Sequence, residues 1–160
     1  MTEFRTPDLL DAHPELEACD AGLAHYGGTQ RFSGEVITVR CFEDNSLVRS
    51  LLNSAGAGRV LVVDGGGSRR CALVGDVLAA AGHGNGWAGV IVAGCVRDSA
   101  ALAALPFGIM ALGVQPRRSA KHGQGVEGVP LTILGARVRP GDFAYADADG
   151  VVFSPRRLAG

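Results

Sequence analysis

Residues 75–98, GDVLAAAGHGNGWAGVIVAGCVRD, decide how the rest of the chain is read. Asp76 stands at or near the N-cap of an expected helix over residues 77–81, which Gly82, Gly84 and Gly86 bring to a stop. Residues 87–93 then form an unbroken apolar run ending at Gly94, the pattern of a strand buried on both faces. Arg97-Asp98 follows. A helix and a strand between the two polar clusters return both to one edge of a sheet.

Working outward, residues 59–64 (RVLVVD) form a second buried run, residues 71–74 a short apolar piece, and residues 109–112 a third strand. Ser99 caps a short helix over residues 99–105. Residues 59–113 therefore read β-α-β-α-β, the pattern of parallel strands joined by crossovers. Upstream, residues 35–41 alternate as a strand, and Asp44-Asn45-Ser46 caps a helix carrying Leu47, Val48, Leu51 and Leu52. Thr6 reads as an N-cap with Pro7 at the first helical position. Downstream of a polar, basic loop at residues 115–125, short strands over 129–134, 136–139, 143–146 and 151–154 make the C-terminal half β-rich. The expectation is a single α/β domain over residues 1–160, with no linker and no internal repeat.

Composition narrows the class. The chain is 47% hydrophobic but only 6% aromatic, with 24 glycines, which implies an Ala/Val/Leu core and many tight turns. A formal charge of -1 gives no long-range reason to expect nucleic acid or a membrane surface as partner. No apolar run approaches the roughly 18 residues of a membrane helix, and no basic segment leads into an apolar one at the N-terminus. Cys19, Cys41, Cys71 and Cys95 lie far apart without zinc spacing, so free thiols in a reducing cytoplasm are expected.

Several motifs reduce to local structure. The glycines after Asp64 miss the dinucleotide fingerprint, with Arg70 at the third glycine position, and Ser68 breaks the D-x-G-x-G pattern of a methyl-donor loop. Asp147-Ala148-Asp149-Gly150 is a hairpin turn rather than a calcium loop, since no Glu closes it. His13, His25, His83 and His122 lack ligand spacing. Capping is the preferred reading of Asp44 and Asn45 over a pair of site residues. A solvated loop is preferred over a phosphate or RNA contact for Arg117, Arg118 and Lys121.

Gly75-Asp76 and Arg97-Asp98 differ because topology couples them. Ligands of open α/β sheets bind beyond the carboxyl ends of the strands. The amides of Val77 and Leu78, in the first turn of a helix, lack internal partners and sit at its positive end. Arg97 can clamp a carboxylate through two parallel hydrogen bonds. Asp98 can hold a hard divalent ion that keeps most of its waters. The alternative is an ordinary surface pair capping the helix at Ser99.

An Asp, twenty intervening residues and Arg-Asp resemble the motif of the RraA-like family, which comprises regulators of ribonuclease E activity A and class II 4-hydroxy-4-methyl-2-oxoglutarate aldolases. VLVVDGGGS, ALGVQPRRSAKHGQG and VRPGDFAYADADGVVFSP are also similar to family segments, in order, over roughly residues 30–155. The resemblance implies a compact swivelling-domain-type fold and a ring-shaped homotrimer. It implies a divalent-metal-dependent lyase, Mg²⁺ or Mn²⁺, acting on small 2-oxo acids to give pyruvate: an aldolase, an oxaloacetate decarboxylase, or both. Gly75, Asp76, Val77, Leu78 and Arg97 would contact substrate, with Arg97 catalytic, and Asp98 would hold the metal; position alone suggests Asp76 as the second catalytic residue, orienting a metal-bound water as the base. Family aldolases tend to extend further at the C-terminus, which weighs against the aldol reaction. The failed D-x-G-x-G pattern weighs against the methyltransferase label some relatives bear. The alternative function is a non-catalytic regulator that binds and inhibits a ribonuclease E-type enzyme.

Overall fold

Gly89–Val96 is buried along its whole length, and the sheet is built around it. The computed structural model describes residues 3–158; Met1, Thr2, Ala159 and Gly160, at the ends of the expected 1–160 span, lie outside the described residues. In chain order the first elements are α1 (Thr6–Ala12), β1 (Glu17–Ala18), β2 (Ala24–His25), β3 (Phe32–Arg40), α2 (Ser46–Leu52) and β4 (Val60–Asp64). Next come β5 (Ala72–Val74), α3 (Asp76–Gly84), β6 (Gly89–Val96), α4 (Ser99–Ala103) and β7 (Gly108–Val114). The remainder is β8 (Val126–Glu127), β9 (Leu131–Ile133), β10 (Ala136–Val138), β11 (Phe143–Asp147) and β12 (Gly150–Ser154).

The main sheet runs β1-β12-β11-β3-β4-β6-β7-β2, with β5 on β6 and β8 on β3; β9 and β10 form a separate hairpin. Strands β3, β4, β6 and β7 are mutually parallel, with Val36 against Val60, Val60 against Gly89 and Gly89 against Gly108. The parallel unit therefore begins one strand earlier than the expected residue 59, because β3 pairs with β4 across α2. The β-rich C-terminal half joins through β11, which pairs antiparallel with β3, and through the Asp147–Gly150 hairpin to β12. The α/β class holds, with its central β-α-β-α-β unit and β-rich C-terminal half.

Each face of the sheet buries its own core. On one face, Val48 and Leu52 of α2, Ala79 of α3 and Leu102 of α4 pack over Leu61, Val63, Val90 and Val92. On the other, Leu131, Ile133, Ala136 and Val138 of the separate hairpin cover Val60, Val62 and Ile91. Alternation along a strand sends successive side chains to opposite faces, so a strand covered on both sides must be apolar throughout. That is what β6 shows. At its start, Gly89 and Gly108 stand opposite each other, and a Cβ on either would fall 2.6 or 2.2 Å from the Phe32 ring. The two glycines make the space that this ring fills.

Three local expectations change. Thr6 is not a cap: Arg5 holds that position, and Thr6 lies inside α1, its N–H and hydroxyl both donating to the Asp147 carboxylate at 2.7 Å. Strand β6 continues past Gly94 to Val96, since Cys95 and Val96 still pair with β5 and β7. Asp98, not Ser99, occupies the N-cap position of α4, without a side-chain cap bond, and the helix ends at Ala103.

Candidate active site

The carboxyl ends of β3, β5, β6 and β7 converge on a cleft of about 280 Å³. Its walls are the start of α3 (Gly75, Asp76, Val77, Leu78), the β6–α4 turn (Arg97, Asp98), one side of α2 (Asn45, Arg49, Asn53), and Arg118, Ser119 and Lys121 after β7. All six residues singled out as site candidates thus line one cavity.

The close packing at its base has a specific cause. Gly75 precedes α3, and a Cβ there would lie 2.7 Å from Asp98 Oδ2 and 3.3 Å from Arg97 Nε. Asp98 itself is left-handed, with φ of 62°, a conformation that Asp tolerates better than most residues. Its Oδ2 accepts a hydrogen bond from the Asp76 N–H at 3.0 Å and lies 3.9 Å from Arg97 Nε. Asp98 makes no side-chain cap to α4. The carboxylate therefore bonds the start of α3 and not its own helix, while also forming a long, half-exposed pair with Arg97. Arg97 is fixed through its backbone, whose N–H donates to the Val74 carbonyl at 3.0 Å.

The α2 side was missed by sequence reasoning. Asp44 is buried; its Oδ1 accepts from the Ser46 N–H at 2.9 Å and its Oδ2 from the His122 N–H at 2.6 Å. Burial alone would raise the pKa of this carboxyl, but bonds from Ser46, His122 and Gln124 outweigh that and hold it at about 2. Capping was half right: Asp44 binds the first turn of α2, but it also pins the loop after β7. Asn45 occupies the cap position without a side-chain cap; its Nδ2 donates to the Leu73 carbonyl at 3.0 Å. The loop expected to be merely solvated is split. Lys121 faces the cleft, Arg117 faces a neighbouring depression of about 610 Å³ with Arg69 and Arg70, and Arg118 lines both. The available signal was position alone, since residues 44–46 directly follow a strand end at the same sheet edge.

Four cations, Arg49, Arg97, Arg118 and Lys121, line the cleft against two carboxylates, Asp76 and Asp98. Such a balance favours an anion of more than one charge. No cluster of three His, Cys, Asp or Glu side chains able to hold a metal occurs among the described residues. Asp98, with Oδ1 unpartnered among the described residues, fits a Mg²⁺-like ion that takes one protein carboxylate and completes its shell with water and substrate oxygens.

The sequence pattern of the RraA-like family, described as Aldolase/RraA, matches residues 6–153. The chain belongs to the RraA-like family. An RraA-like relative from Laribacter hongkongensis, provisionally named a 4-hydroxy-4-methyl-2-oxoglutarate aldolase, is 53% identical over 98% of this chain and 99% of its own. The structure described as the RNA-processing inhibitor RraA from Thermus thermophilis superposes with a TM-score of 0.95 at 50% identity, over 99% of this chain and 97% of that one. A Geobacillus kaustophilus structure described as an S-adenosylmethionine:2-dimethylmenaquinone methyltransferase follows at 0.94 and 49%, over 97% of each. One correction follows from these RraA-like relatives. A protein of matching length bears the aldolase name, so the shorter C-terminus does not set aldolases apart. The loop after Asp64 closes on itself, the Gly66 N–H donating to Asp64 Oδ1 at 2.9 Å, as the plain tight turn expected there.

No helix among the described residues is long and apolar enough to cross a membrane.

Proposed function

We propose that this RraA-like protein is a divalent-metal-dependent carbon–carbon lyase that releases pyruvate from small 2-oxo diacids, 4-hydroxy-4-methyl-2-oxoglutarate by retro-aldol cleavage and oxaloacetate by decarboxylation. The observation that carries this reading is the convergence of Arg97, Asp98 and the first-turn amides of α3 on one cationic cleft. Roughly 50% identity to relatives provisionally named as that aldolase supports it.

Arg97 grips the substrate carboxylate with its planar guanidinium. The amides of Val77 and Leu78 donate to anionic oxygens at the positive end of α3, and Gly75 keeps that approach open. Asp98 would hold the divalent ion with substrate and water, and the ion supplies Lewis-acid stabilisation as charge develops on the 2-oxo oxygen. The Asp76 carboxylate, without an ion pair among the described residues, takes the proton of the C4 hydroxyl. The C3–C4 bond then breaks, its electrons pass into the enolate of pyruvate, and protonation at C3 completes one pyruvate while the other fragment leaves as a second. Decarboxylation of oxaloacetate passes through the same enolate without the hydroxyl proton.

Pyruvate release from both substrates, with and without Mg²⁺ or Mn²⁺, tests the reading. Metal-dependent turnover that disappears in Asp98→Ala is expected; turnover indifferent to metal, or intact in that variant, overturns it. The homotrimer and a cytoplasmic setting belong to the same proposal, and light scattering on the purified protein gives the copy number directly.

The likeness to the Thermus RNA-processing inhibitor favours a second reading, a regulator that docks on a ribonuclease E-type enzyme. Inhibition of such a purified enzyme at micromolar concentration is its signature, and absence of binding there removes it.

A further inference from the structure

Two loops bring Arg69 and Arg70, after β4, together with Arg117 and Arg118, after β7, around the depression of about 610 Å³ beside the cleft. Gln115 clips the loops to each other: its Nε2 donates to the Arg69 carbonyl at 3.0 Å, and its Oε1 accepts from the Arg117 N–H at 3.1 Å. A second tie runs from the Ala72 N–H to the Arg117 carbonyl at 2.7 Å. Glu43, the carboxylate that lines the depression, is taken up by Arg70, whose Nε donates to it at 2.6 Å. Arg69, Arg117 and Arg118 have no ion pair among the described residues.

Like charges held at close quarters repel, and a surface can disperse them without loss to the fold. Here they are gathered. The formal charge of the chain is -1, yet seven of its fifteen Lys and Arg side chains line the cleft or the depression, against three carboxylates. A concave group of uncompensated guanidiniums on clipped loops is suited to an anion of high charge density, and planar Arg forks match the oxygens of a phosphate. Arg118 and Ser119 line both cavities, so one ligand can reach from the first into the second.

Resting on the lyase reading above, we infer that the depression is a phosphate-binding subsite continuous with the cleft, and that the site also takes 4-hydroxy-2-oxo acids carrying a terminal phosphate. The 2-oxo acid end lies against Arg97 and Asp98, and the phosphate end lies among Arg69, Arg117 and Arg118. Cleavage follows the same course as for the diacid: the C4 hydroxyl gives up its proton, the C3–C4 electrons pass into the enolate of pyruvate, and protonation at C3 completes it. The other fragment leaves as a phosphorylated aldehyde, with its phosphate ester intact.

The test compares 4,5-dihydroxy-2-oxopentanoate with its 5-phosphate, and 4,5,6-trihydroxy-2-oxohexanoate with its 6-phosphate, with Mg²⁺ present. Dissociation constants come from calorimetry and kcat/KM from pyruvate release, on wild type and on Arg69→Gln combined with Arg117→Gln, which keeps both backbone bonds to Gln115. Wild type is expected to favour the phosphorylated member of at least one pair by about tenfold, the worth of one charge-assisted hydrogen bond. The double variant is expected to bring that ratio near one while its activity on the unphosphorylated compound stays unchanged. No preference in either pair, or one that survives the double variant, overturns the inference. So does inorganic phosphate that alters turnover of the unphosphorylated compounds without competing with the phosphorylated ones, since the depression then serves a free anion. Tighter binding of a phosphorylated ligand without turnover of any compound sinks the lyase reading and leaves the subsite standing; turnover without preference does the reverse.

Discussion

At the scale of single residues the site depends on contacts with no slack. Gly75 has ordinary extended backbone, so Ala is allowed there by conformation and excluded only by space. Gly75→Ala is expected to lower kcat/KM by about 100-fold, the penalty of a misplacement near 1 Å in a reacting pair, while the melting temperature moves little. Steady-state kinetics beside a thermal melt separates the two effects. Asp98→Asn is the gentler probe of the metal post, since Asn accepts the left-handed backbone and can still receive the Asp76 N–H. It is expected to lose about 100-fold in metal-dependent turnover while folding normally, which a Mg²⁺ titration of rate against a circular dichroism control will show.

At the scale of elements, buried carboxylates staple segments that are distant in sequence. Asp147 receives both Thr6 donors, tying α1 to the β11–β12 hairpin, and also accepts the Asp149 N–H. Asp147→Ala strands a buried N–H and is expected to destabilise the fold by about 2 kcal/mol, with amide exchange rising first in α1. Urea denaturation and hydrogen exchange give the two numbers. Asp44 makes a pH-dependent staple of the loop carrying Lys121. Its folded pKa of about 2 lies below the ordinary carboxyl value, so its contribution is complete above that value and is lost as pH falls toward 2. Between pH 4 and 2 the protein is expected to lose stability, more steeply than an Asp44→Asn variant, and an acid titration of melting temperature checks it.

At the scale of the whole molecule, the two-sided core governs what solvent can reach. The four cysteines are free, and those at positions 41, 71 and 95 are buried. Burial, with help from Asp20 beside Cys19 and from Asp44 and Asp64 near Cys41, pushes both of these thiols up to about 12. A thiol reagent at pH 8 is expected to label Cys19 and Cys41 slowly in the folded protein and all four cysteines at once in urea. Fast labelling of the native protein would contradict this packing.

The sequence alone determined the helix-and-strand succession of residues 59–113, because unbroken apolar runs are local patterns, but not where the elements end: α3 runs through Gly82 to Gly84 and β6 through Gly94 to Val96, both glycines expected as stops. It also placed Gly75 to Leu78 beside Arg97 and Asp98, since a single crossover returns the chain to the same sheet edge. It did not show that β3 joins the parallel unit, that Thr6 lies inside α1 bound to a hairpin 141 residues away, or that Asn45 turns from its helix toward Leu73. Those are pairings between segments whose own sequences are compatible with several partners. Only the closed fold selects among them, because burial makes one arrangement satisfy the polar groups that the others would strand.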